Sequence, residues 1–582
     1  MSDFYQSPPR LGNQYDQDRL LTSYLRRVLP AETLAEVEPD LRRLGARVAG
    51  DILMLGEAAE ADPPRHLAYD PWGRRVDRIE TSSAWHALDR ISAEEGLVAI
   101  GYERAHGALS RIDQFARLYL FSPSSATYSC PLAMSDGAAR CLELYGRSER
   151  LHIAYEHLVT RDPSRFWTSG QWMTERTGGS DVSQTSTIAR AAGDGFRLYG
   201  TKWFTSATTS QMAMTLARLE GAPAGSRGLS LFYLELRDAD DSLRGIRVNR
   251  LKDKLGTRAL PTAELSLEGT PAWLVGDEGR GVRTISSLFN ITRLYNACAA
   301  VAGMRRAIAL ARDYAVRRSA FGKPLAEHPL HVETLSEMQV ELEAAFHLVF
   351  RVVELLGRSE CASASERDMV LLRLLTPVAK LYTAKQAISV ASEALEAFGG
   401  AGYIEDTGLP RLLRDAQVLS IWEGTTNVLS LDVLRALEAD TALGALRSDI
   451  EERLASVSHP ELAAAAARVR AAATTLAHYT EHELEPDDVS AAEVEVLADA
   501  HNGAGREAGA RAFAFAVART YAGALLLEHA SWSAEHEGDH RPTIAAQRWC
   551  ARDLAPLFRT DESHRRESRA LALGDAPSAA PV

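Results

Sequence analysis

Cysteine is scarce: five residues in 582, far apart, with no CxxC pair and no histidine at ligand spacing. That excludes a disulfide framework, offers no metal site, and makes a reducing cytoplasm the expected setting. Basic excess is also missing. The net charge is −13, so the surface as a whole repels polyanions, although a local basic face can sit within an acidic total. Residues 441–582 hold 14 arginines, no lysine and 22 acids, a net of −8, which disfavours a phosphate-facing surface there. Long apolar runs are missing too. The most apolar stretch, RAFAFAVARTYAGALLLEHA, is broken by Arg519, and the opening MSDFYQSPPRLGNQYDQ has no basic region leading into an apolar one. The expectation is a soluble, unexported chain without a membrane span. No internal repeat is present.

What is present is a 46% hydrophobic chain, long enough for several cores. Residues 1–170 read as helices joined by polar loops, with PPRHLAYDPWGRRVDRIETSSAWH as a long ordered loop because it lacks an apolar period. Between 171 and 284, FRLYGTKWFTS, GLSLFYLELR, IRVNRLKDK and TAELSLEG predict a compact antiparallel β domain. Helical period returns over 285–440, where three or four long helices predict a helix bundle with a kink at Pro377. Residues 441–582 predict an additional alanine-rich helical domain, split by the acidic EHELEPDDVSAAEVEVLADA and ending in a frayed tail.

Five stretches carry candidate chemistry. In SIWEGTTNV, Glu423 stands between Trp422 and Gly424. An isolated glutamate is usually solvated, but Ile421 and Trp422 would exclude water and make it a better proton acceptor. In QWMTERTGGSDVS, Thr174, Thr177, Ser180 and the amides around Gly178 and Gly179 are a donor set suited to a polar ring edge or a phosphate, and equally an ordinary glycine turn. KWFTS puts Trp203 and Phe204 on opposite strand faces with Thr205 beside them, a flavin-like arrangement that core packing also produces. RRSAFGKP offers Arg318 and Phe321 after a helix, where an arginine can fork onto a pyrophosphate or complement the helix dipole. EAFGGAGY has Gly399 and Gly400 at a helix end, where backbone can pass a ligand closely.

Taken in order, MTExxGGSD, KWFT, KDKLGTR, RxxFGKP, FGGxGY and WEGTTNV resemble the acyl-CoA dehydrogenase flavoproteins over about Trp167 to Leu437. MTERTGGSDV, RLKDKLG and IWEGTTNVLSLDVLR look most like the AidB-like branch. The resemblance implies an N-terminal helical domain, a β domain and a four-helix bundle, here with an extra C-terminal helical region. It implies FAD held by Met173, Thr174, Gly179, Ser180, Trp203, Phe204, Thr205, Phe321, Gly399, Gly400, Trp422, Gly424, Thr425 and Asn427, with Arg318 serving a neighbouring subunit in a homotetramer. Glu423 falls on the family's catalytic base, for desaturation of an acyl-CoA thioester. Thr292 falls where some members carry that base instead, and it cannot serve as one. Arg258 in KLGTR matches a position facing the acyl pocket or the CoA end. Arg176 and Gly178 replace the family's proline and alanine, which reshapes the approach to the flavin. The same resemblance admits an acyl-CoA oxidase, a fatty-acyl sensor or a DNA-associated protective flavoprotein, and the tail charge disfavours the last. The electron acceptor is not readable.

Overall fold

Runs rich in β-branched and aromatic residues become strands, and runs of helical period become helices, in the predicted order. The computed structural model describes residues 6–438, 441–479, 503–558 and 560–574. The acidic stretch and the last eight residues of the predicted frayed tail lie outside the described residues. The chain divides into two compact units, residues 1–326 with 387–423, and residues 327–386 with 424–582. The helices expected in a bundle over 285–440 are therefore shared between the two units.

In the first unit, helices α1 (Arg19–Val28), α2 (Ala31–Arg47), α3 (Asp51–Ala61), α4 (Ser83–Glu94), α5 (Ile100–Glu103), α6 (Ser110–Phe121), α7 (Ser129–Tyr145) and α8 (Glu149–Leu158) precede the main sheet. The stretch read as a loop holds a hairpin, β1 (Arg65–Tyr69) and β2 (Arg75–Glu80). Asp70 closes its turn by accepting from the amides of Trp72 and Arg74. Much of the hairpin is exposed, so it never needed the apolar period by which strands are recognised.

The seven-stranded sheet comprises β3 (Ser169–Trp172), β4 (Ile188–Ala192), β5 (Gly195–Ser206), β6 (Met212–Leu219), β7 (Leu229–Glu235), β8 (Ile246–Leu251) and β9 (Thr262–Val275). Its order is β3-β6-β4-β5-β9-β7, with β8 on β9, and a β6–β7 pairing joins the path back on itself. The expectation of a purely antiparallel domain needs correcting, because β3 and β4 both run parallel to β6. β6 feeds two cores by strand alternation. Met212, Met214 and Leu216 pack with α7, α8 and residues Ile285 and Leu288, whereas Ala213 and Ala217 face Leu198, Phe232 and Leu265 within the sheet.

Helix α9 (Gly281–Arg317) is 37 residues, about 55 Å, and carries Thr292 and Arg293 near its start. Strands β10 (Ser319–Ala320) and β11 (Lys323–Pro324) form a small hairpin after it.

The second unit contains α10 (Pro329–Glu360) and residues 366–386 of α11 (Glu366–Ala397), which runs unbroken through Pro377. The rest of α11 and α12 (Pro410–Leu419) belong to the first unit. Then come α13 (Thr426–Leu437), α14 (Ala442–Ala455), α15 (Ala463–His478) and further helices Gly503–His536, Arg541–Cys550 and Glu562–Leu573. Gly503–His536 packs on α10, α13, α14 and α15. Its segment Gly505–His536 is long and apolar enough to cross a membrane, but 78% of its apolar window is buried inside the protein, as in a core helix. Arg351, Asp449, Arg453 and Glu528 form a buried chain of ion pairs at 3.1, 2.7 and 2.6 Å, and the Tyr521 hydroxyl donates to Asp449. Removing one partner would leave an uncompensated buried charge.

Candidate active site

After α12 the amides of Ile421 and Trp422 both bond to the Val418 carbonyl, and the chain then turns sharply. Glu423 has φ +56 and Gly424 φ +105. An L-residue in the left-handed region costs about 1–2 kcal/mol, and such strain persists only where the surroundings impose it. Here Arg293 Nε donates to the Glu423 carbonyl at 3.3 Å. The half-buried carboxylate receives Thr292 Oγ1 at 2.8 Å and, more weakly, Gln171 Nε2 at 3.4 Å, both on Oε2. Three elements, β3, α9 and the turn after α12, thus meet at one carboxylate. Thr292 was dismissed as a base from its chemistry, yet it is the closest donor to the base candidate.

The shielding expected of Ile421 is not found. It is 60% exposed, because the turn that continues from α12 points it outward; Trp422 is half-buried. Burial pushes the nearby Cys130 thiol up to about 12, with Glu423's negative charge adding to it, so Cys130 stays protonated at neutral pH and offers no rival nucleophile.

The second turn, QWMTERTGGS, is built on Glu175. Its amide and carbonyl bond reciprocally with Gly178, leaving Arg176 and Thr177 at the tip. The buried carboxylate accepts from Lys202 Nζ at 2.8 Å and from the amides and hydroxyls of Ser186 and Thr187. Burial alone would push this carboxyl up, but the Lys202 ammonium and the four other donors outweigh it and hold it at about 2. Gly179 passes so close that a Cβ there would meet Thr174 Oγ1 at 2.6 Å. Met173 is a core residue, and Ser180 is exposed.

KWFTS docks on this turn through Trp203 N–H donating to the Thr174 carbonyl at 2.9 Å. The β5–β9 register slips between Lys202 and Thr205, and that irregularity changes which side chains face out. Phe204 is 60% exposed and Trp203 half-buried, with Lys252 Nζ 3.8 Å from the Trp203 ring centre. Thr205, expected to present its hydroxyl, is instead buried and donates to the Ala263 carbonyl at 2.5 Å. Ser206, two residues after Phe204, shares its strand face and is half-buried, so the hydroxyl on that face is Ser206, paired at 3.0 Å with Thr262 Oγ1, and strand period from Phe204 would have found it. An exposed ring, hydroxyls from Thr174, Ser180 and Ser206, and a glycine with no room for a side chain fit the edge and face of a flavin.

Other candidates sit as follows. Arg318 caps α9, and Phe321, 98% exposed at φ +50, tips the β10–β11 hairpin. Gly399 and Gly400 are exposed after α11. Arg258 is exposed, 3.6 Å from Asp253. In the second unit, buried Lys380 donates to the Gly424 carbonyl at 2.7 Å, and Thr425 and Asn427 are exposed at the start of α13.

Residues 170–270 match the family described as acyl-CoA dehydrogenase, middle domain, and residues 279–438 the acyl-CoA dehydrogenase C-terminal domain. Residues 6–180 match the adaptive response protein AidB N-terminal domain, and 441–575 the acyl-CoA dehydrogenase 11 C-terminal domain-like family. Acyl-CoA dehydrogenase family member 11 of Caenorhabditis elegans is 45% identical over 539 residues, covering 91% of this chain and 86% of that protein.

The chain belongs to the acyl-CoA dehydrogenase family.

Two solved structures agree with it in fold. Caenorhabditis elegans ACDH-11 in complex with C11-CoA superposes with a TM-score of 0.93 at 42% identity, covering 99% of this chain and 98% of that one. Bd2924 in its apo form gives 0.81 at 49% identity, covering 90% and 100%. Within this member of the acyl-CoA dehydrogenase family, the residues missed from sequence were Gln171, Arg293 and Ser206. Only Ser206 left a pattern to find.

Proposed function

We propose that this chain is an FAD-dependent acyl-CoA dehydrogenase in which Glu423 removes the α-proton of an acyl-CoA thioester. The observation that carries the reading is the convergence of Thr292, Gln171 and Arg293 on Glu423 at a strained turn. Thr292 and Gln171 both hold Oε2, which leaves Oε1 as the oxygen to take the proton. Arg293 fixes the backbone, so the carboxylate does not swing away as its charge changes. FAD, held by Thr174, Gly179, Ser180, Phe204 and Ser206 with Trp203 beside them, would supply the acceptor for the β-hydride. The C11-CoA complex of the worm relative supports an acyl-CoA ligand.

The test is the visible spectrum of the purified protein, before and after anaerobic addition of C11-CoA. Bleaching of bound flavin is the expected result; bound flavin that no acyl chain length bleaches would sink the reading. Peroxide formed in step with reoxidation in air would make it an oxidase instead.

Domain borders near residues 170, 284 and 440 belong to the same reading and are supported by the matched stretches. A homotetramer is supported by Phe321, 98% exposed at a hairpin tip, and sedimentation velocity tests it. Five free cysteines support a reducing, cytoplasmic setting.

A further inference from the structure

We infer that Arg176 is the docking cation for the phosphate end of a coenzyme A thioester, an inference that rests on the acyl-CoA reading above. Arg176 sits at the tip of the two-residue turn between Glu175 and Gly178 and is exposed. Among the described residues no acid lies within ion-pair distance of it, and its one ring contact is Trp203, whose centre is 5.6 Å from the guanidinium carbon. The neighbouring cations differ. Lys252 and Arg250 share one carboxylate, Glu264, at 2.5 and 2.7 Å. Arg176 is thus the cation of these three that meets no carboxylate, and the shared Glu264 leaves the rim around it net positive.

Its base is rigid. The turn is tied down by Glu175 through the buried Lys202, and Trp203 is tied to the same turn through the Thr174 carbonyl. A guanidinium lying against an indole keeps its planar fork ordered, so less entropy is lost when it closes on a phosphate in a bidentate way. Position supports the same ligand. Arg176 is five residues after Gln171, hence within about 18 Å of it along the chain, and Gln171 contacts Glu423. A thioester with its α-carbon at Glu423 can lay its pantetheine arm over that interval and bring its phosphates to the turn. The wider acyl-CoA dehydrogenase pattern has proline here, and its replacement is shared with the AidB-like branch that this stretch resembles.

Phosphates reach such a site from either CoA or FAD, and the experiment separates them. On the FAD-loaded protein, the dissociation constants of an acyl-CoA and of the N-acetylcysteamine thioester of the same acid are read from the flavin absorbance change, for the unaltered protein, Arg176→Gln and Arg176→Lys. Loss of one charge-assisted contact predicts about tenfold weaker binding of the CoA thioester in Arg176→Gln, only partly restored in Arg176→Lys, which returns the charge without the planar fork. The truncated thioester, FAD content and melting temperature should not move. Equal losses for both thioesters, loss of FAD in Arg176→Gln, or no change at all would each overturn the assignment. An unaltered protein that binds both thioesters equally overturns it alone; one that ignores both overturns the acyl-CoA reading with it.

Discussion

Glu175 and Glu423 both stand at sharp turns of the first unit, and the protein treats them in opposite ways. Glu175 is buried and receives five donors, one of them the fully buried Lys202 ammonium. Glu423 is half-buried, carries backbone strain, and receives one short and one long hydrogen bond, both on the same oxygen. The first carboxylate has its charge fully committed to holding a loop. The second is positioned through its backbone, which leaves an oxygen for chemistry. A glutamate's role is thus set by how many donors reach its oxygens, more than by burial alone.

Four changes test that contrast. Glu423→Gln should slow flavin reduction by acyl-CoA about 10³-fold in anaerobic stopped flow, the scale of a lost general base, and leave the unfolding curve in place. Glu175→Gln should do the reverse. It strands the Lys202 charge and should cost about 3–5 kcal/mol in urea unfolding, and the double change with Lys202→Met should recover much of that.

The third test is acid. Glu175 is held at about 2 against an ordinary 4.5, so between those values the unfolded chain binds the extra proton. Its contribution of about 3 kcal/mol is present above pH 4.5 and lost as pH falls toward 2. Glu175→Gln should flatten that part of the stability–pH curve. Smallest is Thr292→Val, which removes one hydrogen bond of about 1 kcal/mol and should slow flavin reduction about fivefold, with Thr292→Ser restoring it.

The helical, β, helical order was legible because period differs so plainly between the blocks. β6 was not, since MAMTLARL is buried on both faces and shows no alternation. The β1–β2 hairpin was missed for the opposite reason, having too little buried surface to leave a pattern. Glu423 could be read from its motif, but its contacts could not. Thr292 and Gln171 lie 131 and 252 residues away in sequence. Thr205 was expected to present its hydroxyl beside the rings, but alternation from the exposed Phe204 turns it into the sheet and brings Ser206 to the Phe204 face. Ile421 was expected to shield the base because apolar neighbours usually do; the turn geometry after α12 decided otherwise.

The most direct measurement is exchange of the α-hydrogen of an acyl-CoA in D₂O, followed by mass spectrometry. With the unaltered protein, deuterium should enter the α-position, and with Glu423→Gln it should not, although the thioester still binds. Incorporation at the same rate in both proteins would contradict the assignment of Glu423 as the base.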